Sequence, residues 1–145
     1  MRKYILLSLS LIIFIAGTAF CGETITAKET DSYFYSDGKM KHSKAQFEIT
    51  YYIEGNKITR TRVYDVEKKE VIPDNTVYFI QRQLTSDPQN KRLKRRGPVI
   101  RALGQPGLDA IEVLVVGEKF IQSVKSTMDY FVISRYERID WLKNI

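Results

Sequence analysis

The sequence predicts an all-β domain: a single antiparallel sheet of seven or eight strands, curled into a small barrel or folded as a sandwich. Three observations carry this. Runs of alternating apolar and polar residues recur along the chain, and a period of two marks half-buried strands. The runs are filled with Tyr, Val, Ile, Phe and Thr, which pack well on a pleated surface. Helical periodicity is thin, and only residues 99–104 and 138–145 admit a short helical turn.

The elements follow in order. Residues 23–29 and 32–36 form the first strand candidates, and Asp37-Gly38 suits a tight reversal because glycine tolerates positive φ. Residues 44–55 hold the clearest alternation: Ala45, Phe47, Ile49, Tyr51 and Ile53 face one side, while Gln46, Glu48, Thr50 and Tyr52 face the other. Gly55-Asn56 is the next reversal, and residues 57–66 make its partner strand. Further runs cover residues 76–84, 110–117, 119–124 and 129–139, with a turn at Gly117-Glu118. Ile111, Leu114, Val115 and Val116 belong to the most continuously apolar run, which predicts a central strand. Pro73, Pro88, Pro98 and Pro106 fall between strand candidates, where a missing amide donor does no harm.

The register at Gly55-Asn56 bears on function. A two-residue loop places Ile53 opposite Ile58 and Tyr51 opposite Arg60, so that Arg60 and Arg62 share the apolar face with Ile49 and Phe47. Arg60, Arg62 and Tyr51 would then line a pocket for a small anion. A loop one residue longer puts Thr59, Thr61 and Val63 inside and both arginines in solvent, since a slip of one residue exchanges the faces. Burying unpaired charge is costly, so the expectation is the second register.

The N-terminus points to export. Arg2 and Lys3 precede an apolar run from Tyr4 to Ala16, followed by the small residues Gly17, Thr18 and Ala19. That order describes a secretory signal peptide over residues 1–19, with cleavage after Ala19 as first choice and after Cys21 or Gly22 as fallback. An uncleaved anchor needs about 20 apolar residues, more than the run supplies. Lipidation at Cys21 is disfavoured by Phe20 just before it and Thr18 three before it. Residues 20–145 are then one β-rich domain without a transmembrane segment, in the periplasm or outside the cell. Removing Arg2 and Lys3 leaves 21 basic and 17 acidic residues, a net charge of +4. Cys21 is the sole cysteine, which excludes an internal disulfide and a cysteine zinc cluster. An exported domain without disulfides relies on its core and suits a bacterial periplasm.

Catalytic patterns are sparse. His42 is the sole histidine, too few for a multi-histidine metal site. Ser123, Ser126 and Ser134 lack a G-x-S-x-G elbow. Glu48, Glu54, Glu112, Asp109 and Asp129 are carboxylates for glycosidic chemistry, but their spacing brings no two together. The stretch from Leu103 to Asp109 has two glycines without the phosphate-cradling pattern, and no cofactor is implied.

The notable cluster is Lys91, Arg92, Lys94, Arg95 and Arg96. In an exported chain nucleic acid is not the expected partner, and such a run suits an envelope protein or an anionic membrane or glycan surface. A solvated loop between strands is the plain alternative. Tyrosines and phenylalanines spread over nearly every strand, one of each neighbouring pair facing the core and the other outward. The function these features predict is a non-enzymatic cell-envelope domain binding a partner or anionic surface through the basic run. A barrel binding a small anion is the alternative, and a hydrolase of unrecognised type the third.

Overall fold

The computed structural model describes residues 22–84 and 99–140. Ten strands follow in sequence: β1 (Glu23–Ser36), β2 (Lys39–Ser43), β3 (Phe47–Glu54), β4 (Lys57–Asp65), β5 (Glu70–Ile72), β6 (Val77–Leu84), β7 (Val99–Gly107), β8 (Ala110–Val116), β9 (Phe120–Ser126) and β10 (Tyr130–Arg138). The antiparallel order β10-β9-β8-β7-β6-β4-β3-β1 closes on itself because β1 also pairs with β10. The sheet is therefore an eight-stranded barrel, with β2 and β5 outside the ring. Of the barrel and sandwich expected from the sequence, closure selects the barrel. It removes most sheet edges, and those that remain are the five-residue β2, bearing Lys39 and Lys41, and the three-residue β5. Short or lysine-bearing edges resist pairing with another chain. Among the described residues, no helix is long and apolar enough to cross a membrane.

Alternation decides what faces inward. Ile25 and Ala27 from β1, Ile49 and Tyr51 from β3, Ile58 from β4, Tyr78 from β6, Ala102 from β7, Leu114 and Val116 from β8, and Ile121 from β9 fill the interior with Tyr136 from β10. Each fully buried side chain of Ile or Leu size stabilises the barrel by about 1.5–3 kcal/mol. The apolar run expected to be a central strand is β8, flanked by β7 and β9, with Leu114 and Val116 inside and Ile111 and Val115 outside.

The β3–β4 hairpin corrects the expected register. Its loop is the two residues Gly55-Asn56, with Gly55 at φ 58°, and Ile53 faces Ile58 while Tyr51 faces Arg60. Arg60 is therefore inside, at 9 % exposure, rather than in solvent. The pairing then jumps from Tyr51↔Arg60 to Thr50↔Arg62, which leaves Thr61 as the extra residue of a bulge. The bulge turns Arg62 outward, where it lies 5.0 Å over the Tyr64 ring, and points Val63 towards the interior.

Other expectations shift for similar local reasons. Residues 99–104 form no helical turn but begin β7, with Ala102 and Gly104 buried. A Cβ on Gly104 would meet Tyr78 ring carbons at 2.4–2.9 Å, so glycine here lets the ring lie against the backbone of β7. Pro106 falls within β7, not between strands, at the register shift between Gly104 and Gly107, where no amide donor is needed. The tail expected to form a turn instead continues β10 to Arg138, and residues 141–145 lie outside the described residues.

The first two strand candidates merge into the long β1, bulged at Thr30. Its Asp37-Gly38 hairpin has both turn residues at positive φ, 51° and 73°. β2 and β3 follow the same edge of β1, broken at residues 44–46, and β5 and β6 follow the same edge of β4, broken at 73–76. At each break a carboxylate accepts backbone N–H groups: Glu29 from Gln46 and Phe47, and Asp74 from Thr76.

Candidate functional site

A buried charge cluster forms where β4 meets β8 across the barrel. Arg60 Nη1 donates to both Glu112 oxygens, at 3.1 and 3.2 Å, and Arg60 Nε donates to Asp74 at 2.9 Å. Asp74 also lies 2.7 Å from Arg60 Nη2. Glu112 accepts further hydrogen bonds from Tyr78 Oη at 2.8 Å and from Ser123 Oγ. The Arg60 guanidinium also sits 5.6 Å from the centre of the Tyr78 ring, and Tyr51 meets that ring edge-on at 6.2 Å.

The titrations follow from this packing. Burial, the largest single influence, disfavours the charged guanidinium, but Glu112 and the other groups around it, the Asp74 hydrogen bond among them, together outweigh burial and raise the pKa of Arg60. Burial, then Glu112, raises Tyr78. Burial, then Glu29, raises Tyr136. For Asp74 burial pushes upward, yet hydrogen bonds from Arg60 and Thr76 hold its carboxyl below the ordinary value.

A group whose folded pKa is depressed contributes stability above its unfolded pKa, about 4 for aspartate, and loses it as pH falls through the folded value. Asp140, bonded to Arg138, is depressed as well. The melting temperature is expected to hold from neutral pH to about 4 and then fall. Asp74→Asn should flatten that fall, which thermal melts between pH 7 and 2.5 will show.

Above the cluster one end of the barrel opens into a cavity of about 210 Å³. Polar groups from Glu29, Ser32, Ser134 and Lys125 line it, with Phe47, Ile49, Val63 and Val132 as apolar wall. Ser32 and Ser134 hydroxyls are 3.1 Å apart. The opposite end has a second hollow of about 350 Å³, near Glu23, Gln83, Ile100 and Arg138. There Arg138 donates to Glu23, Asp140 and the Gly117 carbonyl.

The outer face carries the other candidate. Direct cross-strand partners continue Tyr33–Ile133–Val124–Val113–Leu103–Phe79, one outward residue from each of six strands. Beside this row run Tyr35, Phe131, Ser126 and Ile111, with Met40 on β2. Met40, Ile111, Phe79 and Leu103 are 58, 56, 49 and 40 % exposed. The next outward row is Arg135, Gln122, Val115, Arg101 and Arg82, and its three arginines are exposed and form no ion pair among the described residues. A groove of about 440 Å³ adjoins it, between Thr30, Phe120, Gln122 and Arg135.

The residues singled out from sequence are thus dispersed. Arg60 faces the cavity, Arg62 faces outward, and Tyr51 is sealed in the core with its hydroxyl unpartnered among the described residues. Lys91, Arg92, Lys94, Arg95, Arg96 and Cys21 lie outside the described residues. His42 is on the β2 extension, stacked 4.8 Å from Tyr33 and 3.3 Å from Asp31, whereas Ser123 and Ser134 face the interior. No group of three or more metal-ligating side chains occurs among the described residues.

Sequence reading missed Glu29, Asp74 and Lys125. Asp74 follows Pro73 at a strand break, the one local sign of a capping role; for Glu29 and Lys125 only the strand parity places them inside. No family model, no curated protein sequence and no solved structure matches this chain.

Proposed function

We propose that the protein is an exported, non-enzymatic binding protein of the cell envelope, and that its partner is another protein docked on the outer face of the barrel. The observation that carries this reading is the continuous apolar row over six strands. Scattered exposed apolar residues are ordinary, but contiguous ones mark interaction surfaces. The row spans five inter-strand gaps, about 24 Å at about 4.8 Å each, and covers six of the eight barrel strands.

That curvature argues against a bilayer, because a flat surface touches only a few strands of a convex barrel. The apolar band is also only two outward rows deep, far short of the roughly 25 Å belt of a membrane-spanning barrel. A polypeptide segment can follow the curve. Arg135, Arg101 and Arg82, which form no ion pair among the described residues, ask for Asp or Glu along one flank of that segment. In sequence Lys91 to Arg96 fall between β6 and β7, the strands that bear Arg82 and Arg101, and they lie outside the described residues.

The test is a photo-crosslinking residue at Leu103, and separately at the exposed Thr61 on β4, a strand outside the apolar row, in protein made in its native cells. Leu103 is expected to capture one polypeptide, at a segment with apolar residues flanked by acidic ones, and Thr61 is not. A synthetic copy of that segment should bind the barrel and lose about tenfold or more in affinity when Arg101 and Arg135 are both changed to glutamate. Equal capture from both positions, or lipid adducts alone at Leu103, would overturn the reading.

A further inference from the structure

We propose that the cavity at the open end of the barrel is a binding site for a small organic ammonium, held by the carboxylate of Glu29. The charges lining the cavity carry the argument. On one wall Arg60 engages Glu112 and Asp74, and Lys125 is the direct cross-strand neighbour of Glu112. Two cations there face two carboxylates, so that wall is balanced and its arginine donors are committed. With Glu29 the lining holds three carboxylates against two cations, which disfavours an anion.

Glu29 stands on the other wall, on β1, and is left over. It is 3 % exposed and has no ion pair among the described residues, only the N–H groups of Gln46 and Phe47 at 2.7 and 3.2 Å. All four chain ends of the described residues, at positions 22, 84, 99 and 140, lie towards the opposite end of the barrel. A buried carboxylate without a counter-ion is costly, and a cation entering the cavity would relieve that cost.

The geometry shows where the cation goes. Both backbone donors bind Oε2, and Oε1 takes no hydrogen bond among the described residues. Yet Tyr51 Oη is the one side-chain polar atom sealed without a partner among the described residues. Oε1 therefore opens on the cavity that Glu29 lines. Beside it are the Ser32 and Ser134 hydroxyls, whose oxygens can accept further N–H bonds. The rings of Phe47 and of Tyr136, the cross-strand partner of Glu29, offer π faces to a positive group.

A metal ion is poorly served, since one carboxylate and two hydroxyls fall short of the six or more oxygens that calcium takes. An ammonium needs only three acceptors, and Ile49, Val63 and Val132 give its alkyl part an apolar wall. The volume, about 210 Å³, equals that of roughly seven waters at about 30 Å³ each. This fits a short alkylamine.

The probe is butylammonium, titrated by calorimetry into the full chain, with butyrate and butanol as controls of the same shape. Butylammonium is expected to saturate one site and to exceed both controls. Glu29→Gln keeps an oxygen for the Gln46 and Phe47 amides while removing the charge, and should weaken binding about 10- to 100-fold. Val132→Trp keeps Glu29 and fills the cavity, and should abolish binding even if the glutamine variant does not fold. No saturable binding of butylammonium, tighter binding of butyrate, or unchanged binding in either folded variant would each overturn the proposal.

Discussion

Replacing Glu112 with alanine is expected to destabilise the barrel by about 3–5 kcal/mol, because it leaves the Arg60 guanidinium buried without its main counter-charge. Arginine cannot escape by losing its proton. Asp74 remains as a partner, but Tyr78 Oη and Ser123 Oγ would lose their acceptor in the same change. For a domain of this size the loss corresponds to a fall in melting temperature of roughly 10–25 °C. Urea melts of the two proteins check it, with the slope of the transition expected to stay constant.

The informative control is the double replacement Arg60→Met with Glu112→Leu, which removes both charges and refills the space. It should cost far less than Glu112→Ala, since exchanging a buried ion pair for apolar groups of similar volume is often neutral or stabilising. A loss below about 1 kcal/mol for Glu112→Ala would mean that water from the cavity already solvates Arg60, and the cluster would not be a dry ion pair.

This cluster also marks the limit of what the sequence discloses. Strand positions were legible because the period of two is local: Phe47 to Ile53 show their inward and outward sets without any tertiary information, and Gly55-Asn56 shows the turn. The side on which Arg60 falls was not legible. It depends on the Thr61 bulge and on Glu112, 52 residues further along the chain, arriving on the facing wall. A general rule against buried charge gave the wrong register because the partner that satisfies the charge is non-local.

The same holds for β2 and β5. Neither Lys39–Ser43 nor Glu70–Ile72 has an apolar alternation of its own, and each is a strand only because β1 and β4 run on past the barrel rim. β7 reads weakly because its inward residues, Ala102 and Gly104, are small, Gly104 so that the Tyr78 ring can lie against the backbone. The outer apolar row is invisible to any single-strand reading. It exists only as one residue from each of six strands, aligned by registers that hairpins and closure set together.

Tyr78 and Tyr51 allow a paired test of the interior, since their rings touch edge to face and removal of one oxygen from each should act with opposite sign. Tyr78→Phe is expected to destabilise by about 1.5–3 kcal/mol, because a hydroxyl that donates to a carboxylate in a dry site is worth more than an ordinary hydrogen bond. Its bond to Glu112 is 2.8 Å long. Tyr51→Phe is expected to stabilise by about 1 kcal/mol, since a buried hydroxyl with no partner carries its desolvation cost without return. Its Oη is the sealed, unpartnered atom among the described residues, and the phenylalanine ring preserves the contact with Tyr78.

Equilibrium urea unfolding of both variants measures the difference, which should come to about 2.5–4 kcal/mol, the sum of the two effects. Loss of stability in Tyr51→Phe comparable to that in Tyr78→Phe would place an acceptor or bound water at Tyr51 Oη. The floor of the cavity would then extend one layer deeper, and water rather than packed rings would separate Arg60 from the lower core. Gain in Tyr51→Phe together with loss in Tyr78→Phe would instead show that the polar network ends at Tyr78, so that the polar groups the cavity offers a ligand are Glu29 and the Ser32 and Ser134 hydroxyls, above the engaged Arg60–Glu112–Asp74 cluster.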